Sequence, residues 1–233
     1  MCLMIPTLAM AQKEELAQYC DAMVKEFSNQ KPFHVSYTLT VIGKSDQPEK
    51  ESMDFNFYKS GNSCRSVMGN VQEMIQSDRL LVLVNHLERF IQVQEGKTDE
   101  LSKTLIMADY TILLKEAKSV SKKTDQTFST FTLYFQPNHT YAMMRFVFNT
   151  RTKAIYSMYS EFNPALQEPY FSTEMVYKKI DKGWKPEAGF PGFSSYVVKK
   201  GSRYEAQPAW KNYTMQQNEK ADAKLIVTKI HRR

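Results

Sequence analysis

Side chains able to do chemistry are few in this chain, and they stand apart. The 4 His lie at His34, His86, His139 and His231. None forms an H-E-x-x-H pair or a Cys/His spacing that would hold zinc. With only 8 Gly in 233 residues, there is no glycine-rich phosphate loop, and no G-x-S-x-G elbow occurs. The adjacent acids Glu14–Glu15 and Asp99–Glu100 stand where helices are expected to start. There they complement the helix dipole, which is a commoner role than acid–base catalysis. The reading is a protein that is not an enzyme and has no cofactor and no metal. Lys122–Lys123 and Arg232–Arg233 read as solvated surface, so no nucleic-acid partner is expected. The net charge of +6 fits either simple solubility or attraction to anionic lipid and acidic partners.

What does stand out is apolar content on strands that carry two apolar faces. In YAMMRFVFN, Met144, Phe146 and Phe148 share one face, and Met143 and Val147 share the other. In KAIYSMYSEF, parity places Ile155 and Tyr159 opposite Tyr156, Met158 and Phe162. Strands of this kind need cover on both sides. Either helices and loops supply all of that cover, or one face lines a cavity for an apolar ligand. The chain's 14 Phe, 13 Tyr and 13 Met suit pleated surfaces and adaptable apolar linings.

The elements that must position these residues follow from period. KEELAQYCDAMVKEFSNQ places Leu16, Tyr19, Cys20, Met23 and Phe27 at helical spacing, and predicts a helix ending near Asn29. Period two in FHVSYTLTVIG and MDFNFYK predicts strands, the second carrying Met53, Phe55 and Phe57. GNSCRSVMGN adds a short strand, and EMIQSDRLLVLVNHLERFIQVQ adds three, broken at SD and NH. TDELSKTLIMADYTILLKEAKS switches to a helical stripe through Leu101, Leu105, Ala108 and Ile112, with Thr98 able to cap. FSTFTLYFQ, a hairpin turning at Thr150 to Lys153, and YFSTEMVYKKID return to strands. After Trp184 the Gly- and Pro-rich sequence reads as a loop-rich tail, with a short strand at SSYVV and LIVTKI as an edge strand. No alternating βα units occur. The fold class is therefore α+β: a strongly bent antiparallel sheet with helices against one face.

The N-terminus, LMIPTLAMAQ, is apolar, and A-x-A at Ala9–Ala11 precedes polar sequence. It reads as the remnant of a signal peptide over residues 1–11, with a mature start near Gln12 and an exported, soluble protein. The alternative is an apolar N-terminus packed on the domain. Export would permit a Cys20–Cys64 disulfide, and two buried free thiols fit the sequence equally well.

This order of parts resembles the LolA-like periplasmic lipoprotein carriers. The resemblance rests on FHVSYTLTVIG, on the strand ending FYKSGN, on EMIQSDRLLVLVNHLERFIQV, on the helical insertion, and on FTLYFQPN followed by MRFVFNTRTKAIYSMYSEF. It covers roughly Lys13 to Asp181. It implies a half-open β-barrel over residues 12–183, whose concave face is covered by helices and holds acyl chains of lipids or lipoproteins. A loop-rich C-terminal extension follows over 184–233. The implied cavity lining is Phe55, Phe57, Met144, Phe146, Phe148, Leu101 and Leu105. The family's gating Arg falls here at Ser60, so Arg65 becomes the candidate gate. The implied protein is a periplasmic monomer whose partners are acyl chains and inner- or outer-membrane proteins. The alternative is a scaffold or partner-binding protein with a closed cavity, using Tyr196, Tyr204, Trp210 and Tyr213 as its partner surface.

Overall fold

The structure is a computed structural model, and it describes residues 5–28, 31–44, 49–95, 110–166 and 170–218. Its elements run α1 (Ile5–Ser28), β1 (Phe33–Gly43), β2 (Lys50–Ser60), β3 (Ser63–Met68), β4 (Gln72–Gln76), β5 (Leu80–Asn85), β6 (Phe90–Glu95), α2 (Tyr110–Glu116), β7 (Ser119–Thr124), β8 (Phe128–Tyr134), β9 (Tyr141–Asn149), β10 (Ile155–Phe162), β11 (Tyr170–Asp181), β12 (Val197–Lys200), β13 (Arg203–Ala206) and β14 (Thr214–Asn218). Twelve strands are hydrogen-bonded in the order β14-β6-β5-β4-β3-β2-β1-β11-β10-β9-β8-β7, and β12–β13 form a separate ladder. The sheet is antiparallel, does not close, and ends in β14, which lies parallel to β6. This is the expected α+β class.

Two compact units divide the chain. Unit 1 holds Met1–Asn29, Val35–Phe55 and Ile106–Ile180; unit 2 holds Gln30–His34, Asn56–Leu105 and Asp181–Arg233.

In unit 1, α1 turns its predicted stripe inward: Leu16, Tyr19, Cys20, Met23 and Phe27 are all buried. The Tyr19 ring lies 5.0 Å from Phe148 and 5.4 Å from Phe131. Polar ties secure the helix. Lys13 Nζ donates to the Ala117 carbonyl at 2.7 Å, Glu15 pairs with Lys122 at 2.5 Å, and Tyr110 Oη donates to Asp21. Glu15 thus has a pairing role. Because α1 begins at Ile5, neither Glu14 nor Glu15 lies in its first turn, where a dipole role would need them. The helix also runs straight through Ala9–Ala11.

Cross-strand register makes one face of β8 and β9. Phe131 lies opposite Phe146, Leu133 opposite Met144, and Ser129 opposite Phe148. The predicted β9–β10 hairpin forms, and Asn149 Oδ1 holds its turn by accepting from the Arg151 and Thr152 backbone N–H groups at 3.0 and 2.9 Å. Simple parity fails in β10, however. Ile155 pairs with Phe148, but Ser157 pairs with Val147, so an extra residue is accommodated at Tyr156. This bulge exchanges faces beyond it. Ile155 and Met158 therefore share the Phe146–Phe148 face, and Tyr159 lies opposite Arg145 on the other. The helical stripe expected after Thr98 is described only at α2, where Ile112 is 48% exposed instead of buried. Strand β7 is unexpected from its sequence: SVSKKT has a single apolar residue.

In unit 2, β3 to β6 form as predicted. The sequence after Trp184 does more than loop. Among the described residues it supplies a 3-10 turn at Phe193–Ser195, strands β12 to β14, and the buried residues Tyr196 and Val197. The expected LIVTKI edge strand lies outside the described residues.

Phe148 is 0% exposed, so its truncation would leave a cavity. Phe148→Ala should lower stability by about 3–5 kcal/mol in denaturant unfolding followed by circular dichroism. Thr132→Ala, on the opposite face beside Arg145, should change it by less than about 0.5 kcal/mol.

Candidate functional site

The apolar face of unit 1 is built by alternation. Met144, Phe146 and Phe148 project to one side of β9, where Phe131 and Leu133 of β8 and Ile155 and Met158 of β10 join them. Towards the far end of these strands come Phe135, Tyr141 and Phe162, with Tyr141 and Phe162 ring centroids 5.3 Å apart. His139 stacks on Phe135 at 4.2 Å. Its Nδ1 accepts the Tyr141 backbone N–H at 3.1 Å, which leaves Nε2 to donate to Glu116 Oε2 at 2.9 Å. That pair fastens the C-terminal end of α2 to the β8–β9 connection. Phe55 belongs to the same unit, half-buried and stacked on Tyr37 at 4.9 Å. Tyr37 in turn meets Tyr177 at 5.9 Å, and burial pushes both phenol pKa values upward.

The structure thus brings Met144, Phe146 and Phe148 together and places Phe55 in their unit. Phe57 lies in unit 2, buried against Phe33 at 5.9 Å. Leu101 and Leu105 lie outside the described residues.

Unit 2 buries both faces of its strands. On one face Arg65, Ile75, Val82 and Val93 follow one another across β3 to β6, with Glu73, Val84 and Ile91 beside them. The chain from Phe193 to Met215 covers this face: Tyr196 and Val197 sink into the aliphatic cluster, and Phe193, Tyr204, Ala206, Trp210, Tyr213 and Met215 pack around it. The four tail aromatics of the partner-surface reading, Tyr196, Tyr204, Trp210 and Tyr213, are thereby turned onto the chain's own core. They form a strap.

Polar groups set where the strap sits. Glu73 is 12% exposed, and its Oε2 accepts from Arg65 Nε at 2.9 Å and Nη2 at 2.6 Å. Its Oε1 accepts the Tyr196 hydroxyl at 2.7 Å, with His86 Nε2 at 3.5 Å. His86 Nδ1 lies 3.1 Å from Tyr213 Oη, and the Trp210 ring stands 5.5 Å from the imidazole. Arg65, the candidate gate, is thus held in a clasp between strap and sheet. Burial outweighs other influences on the Tyr196 phenol and pushes its pKa up, with the Glu73 hydrogen bond adding to it. Sequence reasoning did not assign Glu73 or His86 a role, because the strap tyrosines they meet, Tyr196 and Tyr213, lie 123 and 127 residues away.

On the opposite face of unit 2 the register aligns Cys64, Gln76, Leu81 and Gln94 in one row. All four are buried. Lys59 is near Cys64, and burial lowers its ammonium pKa. Cys20 and Cys64 are both free and buried, and burial pushes each thiol up to about 12. Among the described residues, no group of three or more His, Cys, Asp or Glu is arranged to hold a metal ion.

No protein-family model matches the chain, and no curated protein does. Solved structures are similar to it in fold. An uncharacterized conserved protein from Thermus thermophilus shares 10% identity over 87% of this chain and 99% of its own, with a TM-score of 0.45. A LolA superfamily protein from Nitrosomonas europaea shares 12% identity over 73% of this chain and 94% of its own, with a TM-score of 0.34. The lipoprotein LppX of Mycobacterium tuberculosis shares 14% identity over 76% of this chain and 98% of its own, with a TM-score of 0.44. The likeness is one of fold alone, and it transfers no residue role.

Glu73→Gln removes the charge that Arg65 and His86 face. Backbone amides of β14 should then exchange with deuterium roughly tenfold faster, as a loosened strap requires, while those of α1 keep their rates. Unchanged β14 exchange would show that Glu73 does not hold the strap. The thiols give a separate check. A buried thiol with a raised pKa is neither ionised nor accessible at a pH of about 8. Cys20 and Cys64 should therefore resist iodoacetamide in the native protein and be alkylated in denaturant, as read by peptide mass spectrometry.

Proposed function

We propose that the chain is a non-enzymatic carrier, exported to the periplasm as a soluble monomer, that holds acyl chains of lipids or lipoproteins on its aromatic sheet face. The observation that carries this reading is the unit 1 face itself. Phe131, Met144, Phe146 and Phe148 form a continuous apolar surface, and α1 lies over it. Polar ties hold α1 at Lys13, Glu15 and Asp21, so the helix can shift without breaking a covalent or metal link. Among the described residues, no helix is long and apolar enough to cross a membrane. Burying a sixteen-carbon chain would gain on the order of 12 kcal/mol gross, at about 0.8 kcal/mol per CH₂. The gain falls because the face is already filled: an entering chain must displace Tyr19 and its neighbours. Loose holding of that kind suits a protein that hands its cargo on to membrane partner proteins. Arg65 would gate only by leaving Glu73.

The same filling favours a second reading. Phe148 at 0% exposure and Phe146 at 1% are already closed off, as in a scaffold that binds partner proteins and no lipid. Titration of a fluorescent acyl probe separates the two. Saturable binding is expected for the wild type and for Thr132→Glu. Phe146→Glu, which buries an unpaired carboxylate, should either abolish binding or unfold the protein. Absence of saturable wild-type binding would leave the scaffold reading standing.

A further inference from the structure

Two ammonium groups stand at the margin of the aromatic face of unit 1. Lys122 Nζ, from edge strand β7, lies 5.6 Å from the Phe131 ring centroid. Lys153 Nζ, from the β9–β10 turn, lies 5.4 Å from the Tyr19 ring centroid. Those two rings are 5.4 Å apart, and Phe148 completes their group. The two cations differ in what answers their charge. Glu15 pairs with Lys122 at 2.5 Å. Lys153 is exposed, and among the described residues no carboxylate pairs with it. Its backbone has a φ of 56°, in the left-handed region where a side chain is crowded and glycine or asparagine sits more easily. The turn closes without the lysine side chain. The Lys153 N–H donates to the Asn149 carbonyl at 2.9 Å, and Asn149 Oδ1 accepts from Arg151 and Thr152. A bulky residue at an unfavoured backbone angle points to a task for its side chain. Packing over Tyr19 is a modest attraction for so exposed a group, and it leaves the positive charge unneutralised.

We propose that Lys153 receives the anionic end of the cargo, a carboxylate or a phosphate attached to the acyl chain that unit 1 holds. The inference rests on the carrier reading and deepens it: it makes the cargo an anionic lipid instead of any hydrocarbon chain. A lysine ammonium is a compact point charge with three donors, and it suits either oxyanion without demanding one geometry. Its place fits the order of parts in such a ligand. The charge stays at the exposed turn, where water completes its solvation, and the chain runs onto Tyr19, Phe131 and Phe148 beside it. Tyr19 is also the ring that an entering chain must displace. An anion at Lys153 draws the ammonium off that ring and so weakens one of the contacts that hold it. Lys122 contributes less, because Glu15 already neutralises it. The net charge of +6 adds a weak general attraction of the same sign.

The test is displacement of an uncharged fluorescent acyl probe from the full chain by matched competitors that differ in charge. Laurate is compared with methyl laurate, and lauroyl lysophosphatidylglycerol with monolaurin. The wild type should bind the anionic member of a pair roughly tenfold more tightly at low salt, and the ratio should narrow as salt rises. In Lys153→Met the ratio should fall towards 1 while affinity for the neutral member is kept. Lys153→Arg should keep the preference. Lys123→Met removes the same charge from the opposite face of β7, where Lys123 pairs with Thr130, and should also keep it. If Lys153→Met fails to fold by circular dichroism, Lys153→Gln replaces it. Preference in the first pair alone identifies a free fatty acid, preference in the second alone a phospholipid, and preference in both the shared anionic end; each supports the assignment. Equal affinity within both pairs overturns the inference and leaves the carrier reading intact. So does a preference that survives in the folded Lys153 variant, or one that Lys123→Met abolishes equally. Binding of neither probe nor competitors overturns the carrier reading and the inference with it.

Discussion

Burial on both faces of the strands is the constraint on which the unit 2 architecture depends. An antiparallel sheet ordinarily has one face in the core and one in water. Strands β3 to β6 do not. Their register puts Ile75, Val82, Val84, Ile91 and Val93 on one side and Cys64, Gln76, Leu81 and Gln94 on the other, all buried. An aliphatic face of that extent left in water would invite aggregation. The strap answers it locally. Tyr196 and Val197 fill the middle, and β14 pairs alongside β6, which would otherwise leave an unpaired strand edge. In unit 1, α1 plays the corresponding part for the aromatic face of β8 to β10.

Apolar contact brings the strap down but does not fix where it lands. The clasp around Glu73 supplies that register. A mostly buried carboxylate is unfavourable unless its oxygens are bonded, and here one oxygen takes the Arg65 guanidinium while the other takes the Tyr196 hydroxyl. Moving the strap by one residue would leave Glu73 and the Tyr196 hydroxyl without each other. Specific polar groups at the edge of a non-directional apolar contact serve the same purpose elsewhere in the chain. Lys13, Glu15 and Asp21 fix α1 beside its aromatic face, and the Glu116–His139 pair fixes the end of α2.

This division between apolar attraction and polar register bears on function. Aromatic and methionine side chains can repack around a guest because their contacts are individually weak and undirected. Polar ties at an element's margin can reopen without disturbing the core. A face of the first kind under a helix held by ties of the second kind is what the proposed carrier reading would require for loading and release.

Local pattern in the sequence determined much of this protein. The stripe Leu16–Tyr19–Cys20–Met23–Phe27 specified the buried side of α1, and alternation in β1, β8 and β9 specified which residues face the core, because side-chain direction follows directly from helical or strand period. The breaks at SD and NH separated β4, β5 and β6, and Thr150 to Lys153 marked the hairpin turn, since turn chemistry is also local. Tertiary structure decided the rest. The bulge at Tyr156 reverses faces in β10, and it is set by pairing with β9 and not by any residue in IYSMYS. SVSKKT became a strand because β8 offered a ladder, not because of its own composition. The tail became a strap only through contacts such as Tyr196 with Glu73, 123 residues apart. Alternation could say that Glu73 and Ile75 share a face, but not that a tyrosine from the far end of the chain would complete it. Side-chain direction is a property of neighbouring residues, whereas the partner on a buried face is chosen by whichever distant segment can satisfy its area and its hydrogen bonds together.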